Sequence, residues 1–166
     1  MTHSLLILAA LSLSATLISP PAKADATLSR FSGVWKGDGW AMRADDEPRQ
    51  AIRCRVVMNY VEAAGELEFS GRCGGGGNTA SFRGNLVKST GSIYRGEWIA
   101  SGSRAREPLT GKASGPDMVF FFGETGGSRH TGTMRWSLHN GNLIIDSAVA
   151  RNGRAGRSAM KLARTD

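Results

Sequence analysis

The chain has 166 residues, a hydrophobic content of 40%, a formal net charge of +7 and 22 glycines. This length suits one domain with a real core, whereas the glycine content is hard to reconcile with a helical bundle. Two cysteines are too few for a cysteine-based metal site, and we predict neither a metal nor a cofactor.

The first segment is typical of a secretory signal peptide. An apolar run extends from Leu5 to Ile18 and is followed by two prolines and by small-residue cleavage sites, of which we favour the one after Ala24. The run is too short for a confident membrane span, and no later segment approaches the required length. We therefore predict a signal peptide over residues 1–24 and one domain over 25–166, in a periplasmic or secreted protein. The alternative is an N-terminal core helix.

Downstream of Phe31, short segments alternate apolar with other residues and are separated by Gly, Asn, Asp, Ser and Pro. This rhythm is typical of a β meander that closes into a barrel or packs as a sandwich. Because the loops are short and closure removes exposed edges, we predict an all-β, antiparallel up-and-down barrel of about 8–10 strands. The predicted strands are 32–43, 50–61, 66–74, 79–87, 92–100, 109–114, 118–123, 131–139, 142–149 and 157–164.

The register of the first complete hairpin predicts a disulfide. A turn around residues 62–65 places Cys54 directly opposite Cys73. Opposed residues on antiparallel strands lie about 4.5–5.5 Å apart, which is within disulfide reach. An even cysteine count in an exported chain also indicates one bridge. The same face carries Val56, Met58, Tyr60, Leu67 and Phe69.

Three further hairpins place apolar residues or glycine on one face and more polar residues on the other. The third of them turns at Asn140-Gly141, the dipeptide best suited to a type I′ turn. The predicted pairs are Leu86–Tyr94, Gly84–Gly96 and Phe82–Trp98, then Ala113–Met118, Gly111–Phe120 and Leu109–Phe122, and finally Leu138–Leu143 and Trp136–Ile145.

The first strand contains the segment 33–39, Gly-Val-Trp-Lys-Gly-Asp-Gly. Gly-x-Trp-x-Gly-x-Gly resembles the opening of calycin-like barrels, which include lipocalins, nitrobindins and fatty-acid-binding-protein-like proteins. The resemblance implies that Trp35 plugs one end of the barrel and that the cavity holds a hydrophobic ligand or haem. Arg164 either packs on Trp35, as in calycins, or is an ordinary surface arginine. Nitrobindins ligate haem through a His near the C-terminus, and residues 158–163 contain none. Met160 is either a soft ligand or a core methionine, and we favour the core.

The interior of the predicted barrel allows two interpretations. Inward glycines either leave room for a ligand or let the strands bend until aromatic rings fill the centre. We favour the first, a non-enzymatic barrel that binds a small hydrophobic or amphipathic ligand inside or at its rim. The inward glycines are Gly33, Gly37, Gly71, Gly84, Gly96, Gly111 and Gly132, and the candidate ligand-binding residues are Trp35, Met58, Tyr60, Phe69, Phe82, Tyr94, Trp98, Phe120 and Trp136.

Catalytic signals are weak. His130 and His139 lie nine residues apart, so about 30 Å and a sheet face separate them on a straight strand. The acidic run 45–47 lacks the alternation of a calcium loop, and we interpret it as a hairpin loop rather than a weak cation site. We therefore predict a protein that is not an enzyme.

Partners and alternative functions stay open at this point. We expect a monomer that binds no nucleic acid, and one candidate partner is an anionic component of the envelope. The basic residues that would contact it are Arg151, Arg154, Arg157, Lys161 and Arg164. One alternative function is a structural or envelope-integrity protein with a packed interior. Another is a protease-inhibitor barrel acting through an N-terminal arm or the loop 43–49.

Overall fold

The computed structural model describes residues 24–103, 106–123, 130–151 and 154–165, so residues 1–23 of the predicted signal peptide lie outside it. Within these residues the chain forms ten strands, preceded by a short helix, α1 (Ala26–Ser29), and interrupted by one 3-10 turn (Glu62–Ala64). The strands are β1 (Gly33–Met42), β2 (Gln50–Val61), β3 (Glu66–Gly75), β4 (Asn78–Thr90), β5 (Ile93–Ala100), β6 (Glu107–Ser114), β7 (Asp117–Phe122), β8 (His130–His139), β9 (Asn142–Arg151) and β10 (Arg154–Arg164).

The strands form a closed up-and-down barrel. Each pairs antiparallel with its neighbour in sequence, and β1 pairs with β10 to complete the ring. Trp35 lies opposite Arg164 at this seam, and the guanidinium of Arg164 sits 4.5 Å from the centre of the indole ring. The predicted fold class is confirmed, and of the two alternatives for Arg164 the structure shows the packing on Trp35.

The predicted bridge is confirmed. Cys54 and Cys73 are bonded and lie directly opposite each other on β2 and β3, with their Cα atoms 4.1 Å apart. The predicted registers of the β6–β7 and β8–β9 hairpins are also confirmed. Asn140 and Gly141 both have positive φ, 49° and 74°, as a type I′ turn requires.

The predicted register of the β4–β5 hairpin is wrong by two residues. Gly84 pairs with Trp98 and Leu86 with Gly96, rather than with Gly96 and Tyr94 respectively. The turn lies at Gly91-Ser92, so that Thr90 pairs with Ile93, and an irregularity between Lys88 and Thr90 then changes the register along the rest of the hairpin. A shift of two residues keeps every side chain on its predicted face, because side chains alternate with period two.

Helix α1, which the sequence analysis missed, closes one end of the barrel. Asp25 caps it by accepting hydrogen bonds from the backbone amides of Thr27 and Leu28. Leu28 and Phe31 are completely buried, and the carbonyl of Phe31 accepts a 2.9 Å hydrogen bond from the indole of Trp35. We call residues 25–31 the plug, and the end of the barrel that they enter the plug end. No helix in the described part of the chain is long and apolar enough to cross a bilayer.

Candidate functional site

Asp25 ties the plug to the barrel rim. Its backbone amide donates to the hydroxyl of Tyr60 at 2.8 Å, and its carboxylate accepts from the hydroxyl of Tyr94 at 3.3 Å and pairs with the ammonium of Lys88 at 3.2 Å. Burial alone would raise the pKa of Asp25, but the amide of Leu28 and the ammonium of Lys88 together hold that pKa below its usual value. The charged carboxylate therefore fastens the plug at neutral pH.

An aromatic cluster lies inside the barrel, directly against the plug. The indole of Trp136 is 1% exposed and makes edge contacts with the rings of Phe31, Phe69 and Phe120, at centroid distances of 5.7, 5.2 and 4.5 Å. The half of the barrel nearest the plug is therefore packed with rings.

Ring packing also decides the role of several inward glycines. A Cβ on Gly71 would lie 2.2 Å from the ring of Phe82, and one on Gly84 would lie 2.5 Å from the ring of Phe69. The rings of Phe120 and Phe122 cover Gly111 and Gly132 in the same way. The expectation that these glycines leave room for a ligand is wrong at these four positions, because aromatic rings occupy the space.

At the opposite end, which we call the open end, several inner-face side chains are only half-buried, although Phe122 is 3% exposed. These half-buried side chains come from the strand segments that lie farthest from the plug. Leu28, Phe31 and Trp136 at the plug end are, by contrast, almost completely buried. The ring of Trp98 meets that of Phe122 edge-on at 5.1 Å, and the hydroxyls of Ser147 and Ser158 share a 2.7 Å hydrogen bond. The half-buried apolar side chains here are Ile52, Phe82, Trp98, Met134 and Val149.

The indole nitrogen of Trp98 is buried and has no hydrogen-bond partner among the described residues. A buried N–H without an acceptor costs free energy that a ligand oxygen would recover. Glu107 lies directly opposite Trp98 on the inner face, so the wall here combines an aromatic surface with polar groups. Such a lining suits a molecule with an apolar body and a hydrogen-bond acceptor.

All nine predicted ligand-binding residues lie on the inner face, but they belong to different parts of the barrel. The hydroxyls of Tyr60 and Tyr94 form hydrogen bonds with Asp25 of the plug, whereas Phe82 and Trp98 line the open end. Trp35, Met58, Phe69, Phe120 and Trp136 are at most 3% exposed and belong to the packed core. The sequence analysis missed Ile52, Met134, Val149, Ser147 and Ser158, although strand alternation alone assigns each of them to the inner face.

Other predicted features take positions that favour ordinary structural roles. Arg154 pairs with Asp46 and Glu47 at 3.1 Å, and its hydrogen bond lowers the pKa of Asp46. Arg157 lies 3.8 Å from Asp45, so two residues of the basic stretch pair with the acidic loop. His139 is exposed beside Asn140 at the β8–β9 turn. The side chains of His130 and Arg151 lie outside the described part.

The described residues contain no group of three or more His, Cys, Asp or Glu side chains arranged to hold a metal ion.

Comparisons with known proteins identify the fold. No protein-family model matches the chain, and no curated protein matches it by sequence. Rv2717c from M. tuberculosis superposes with a TM-score of 0.67 and 13% identity, over 87% of this chain and 100% of the other. The S-type phycobiliprotein lyase CPES from Guillardia theta gives 0.61 and 12%, over 84% and 90%. Both likenesses concern a small β-barrel compatible with the calycin-like type.

Proposed function

We propose that this chain is an exported, non-enzymatic, calycin-like barrel that binds a small amphipathic molecule at its open end. The observation that carries the proposal is the difference between the two ends. The plug end is filled by Leu28, Phe31 and the rings around Trp136, whereas the open end presents the half-buried apolar side chains of Ile52, Phe82, Trp98, Met134 and Val149. Concave sites with an apolar lining and few fixed polar groups are the usual form of small-molecule sites.

Export is supported by the Cys54–Cys73 bond, since disulfides persist outside the reducing cytosol. The proposal of a non-catalytic role rests on the chemistry of the open end. The inner-wall side chains that the structure describes there are apolar groups, an indole, the serines Ser147 and Ser158 and the carboxylate of Glu107, and none of these described side chains is a His base. The lyase among the similar structures shows that the fold also occurs in a protein described as an enzyme, so activity assays are a necessary companion to binding assays.

The protease-inhibitor alternative is disfavoured by the contacts of its two candidate segments. The chain after Asp25 is buried as the plug rather than free as an arm. The loop 43–49 is held by Arg154 through Asp46 and Glu47, and the guanidinium of Arg49 packs 4.0 Å from the ring of Trp40.

Titration with prodan, a neutral naphthalene ketone whose emission reports its surroundings, tests the proposal. We expect saturable binding to the purified protein and a blue shift of prodan emission. Trp98→Phe keeps an aromatic ring but removes the donor, so the affinity should fall about fivefold, equivalent to one neutral hydrogen bond of about 1 kcal/mol.

Trp40→Phe is the matched control, because Trp40 lies on the outer face of β1, opposite the exposed Ala51. Its affinity for prodan should equal that of the wild type. Absence of saturable binding, or an equal loss in both variants, would contradict a site at the open end.

A further inference from the structure

The outer wall formed by β1 to β5 contains a concavity that the proposed function does not use. Its volume is about 1050 Å³, and its outward-facing charged residues are five basic side chains and one acidic side chain. We call it the basic groove. It is lined by Lys36, Asp38, Arg53, Arg55, Arg72 and Arg83, with Val57, Ile99 and four serines between them, Ser70, Ser81, Ser101 and Ser103.

Strand register brings three of these cations into one row. Lys36 on β1 lies directly opposite Arg55 on β2, and Arg55 lies directly opposite Arg72 on β3. Opposed residues on antiparallel strands point to the same face, so the three side chains project together over a row about 10 Å long. Like charges in directly opposed positions destabilise a sheet.

No acidic side chain within the described ranges relieves this repulsion. Arg53 pairs with Asp38 at 3.0 Å, but Lys36, Arg55, Arg72 and Arg83 make no ion pair or side-chain hydrogen bond there. Elsewhere the chain does pair its arginines, as with Glu97 for Arg106, Asp117 for Arg135 and Asp46 for Arg154. The groove therefore gathers unneutralised cations that an external anion would stabilise.

The disulfide lies behind the same row. Cys54 adjoins Arg55 and Cys73 adjoins Arg72, and both cysteines face inward while the arginines face outward. The covalent bond thus holds β2 against β3 where the two guanidinium groups repel each other. The fixed spacing of the two strands keeps both arginines within reach of one anion and reduces the ordering that binding requires.

We propose that the basic groove binds a soluble ligand that carries two or more phosphate groups. Guanidinium groups match phosphate oxygens in bidentate fashion, and a row of three cations is longer than one phosphate needs. The concave shape suits a compact ligand better than a flat bilayer. An adjoining concavity of about 480 Å³ is lined by Glu66 and Glu68 as well as Arg83 and Arg106, so the excess of positive charge is confined to the basic groove.

Isothermal titration of the purified protein with inorganic tripolyphosphate tests this proposal. We expect saturable binding, and we expect the double variant Arg55→Gln/Arg72→Gln to lose at least about tenfold in affinity, since each guanidinium makes charge-assisted hydrogen bonds. The control is Arg95→Gln/Lys112→Gln, which removes the same charge from the outer face of β5 and β6. Its affinity for tripolyphosphate should fall no more than about twofold, because removing charge outside the groove weakens only a long-range attraction that salt already screens.

Thermal unfolding supplies a second measurement that also shows whether the variants fold. Without tripolyphosphate, Arg55→Gln/Arg72→Gln should melt no lower than the wild type, because like-charge repulsion is removed. Tripolyphosphate should raise the melting temperature of the wild type and the control but not of the groove variant. Equal losses in both variants, no saturable binding, or attachment to phosphatidylglycerol vesicles that tripolyphosphate does not reverse would each overturn the proposal.

Discussion

Replacement of Trp136 by Ala should lower the free energy of unfolding by about 3–5 kcal/mol, the usual cost of deleting a large buried aromatic side chain. Trp136 is 1% exposed and touches rings from the plug, from β3 and from β7. Its loss would leave a cavity where the plug meets the barrel wall. Urea unfolding followed by far-ultraviolet circular dichroism measures the change.

Trp40→Ala is the matched control for this prediction. It deletes the same side chain from an outer-face position, where the indole is half-buried beneath Arg49. We expect a loss below about 1.5 kcal/mol, because less apolar area is involved and no internal cavity forms. Similar losses in both variants would show that the rings around Trp136 are not the core that joins plug and barrel.

Removal of the bridge should have the second large effect. The cysteines are 19 residues apart. A bridge across a loop of this size stabilises the folded state by roughly 3 kcal/mol, because it restricts the conformations of the unfolded chain. Cys54→Ser/Cys73→Ser should therefore lower the melting temperature by about 5–15 °C for a domain of this size. Differential scanning calorimetry measures the change.

A reducing agent provides the control for the bridge. Dithiothreitol should lower the melting temperature of the wild type toward that of the double variant and leave the variant unchanged. An unchanged melting temperature in the double variant would contradict the stabilising role assigned to the covalent link between β2 and β3.

Much of the fold was predictable because the strands alternate consistently. Asn140-Gly141 sets the register of β8 and β9, and the two cysteines set that of β2 and β3. The predicted β4–β5 register was wrong because no residue in the segment Lys88 to Thr90 is of a type that indicates an irregularity there. Helix α1 was missed because four residues are too few for a helical period, although an Asp at position 25 ahead of Leu28 is a usable capping signal.

The site was less predictable than the fold. Alternation places Met58 and Trp98 on the same inner face, but it does not show that one belongs to the plugged half and the other to the open end. That distinction depends on where the plug inserts. The basic groove depends on three strands in register, and the correct pairing of Cys54 with Cys73 already places Arg55 opposite Arg72.

The central claim, that a ligand enters at the open end while the plug end stays closed, is tested most directly by methyl NMR of ¹³C-labelled methionines. Met134 is half-buried on the inner face toward the open end, whereas Met58 and Met118 are 2% and 0% exposed in the packed half. Titration with a medium-chain aliphatic ketone should shift the Met134 methyl saturably and leave those of Met58 and Met118 in place. Saturable shifts at Met58 or Met118 with none at Met134 would contradict the account.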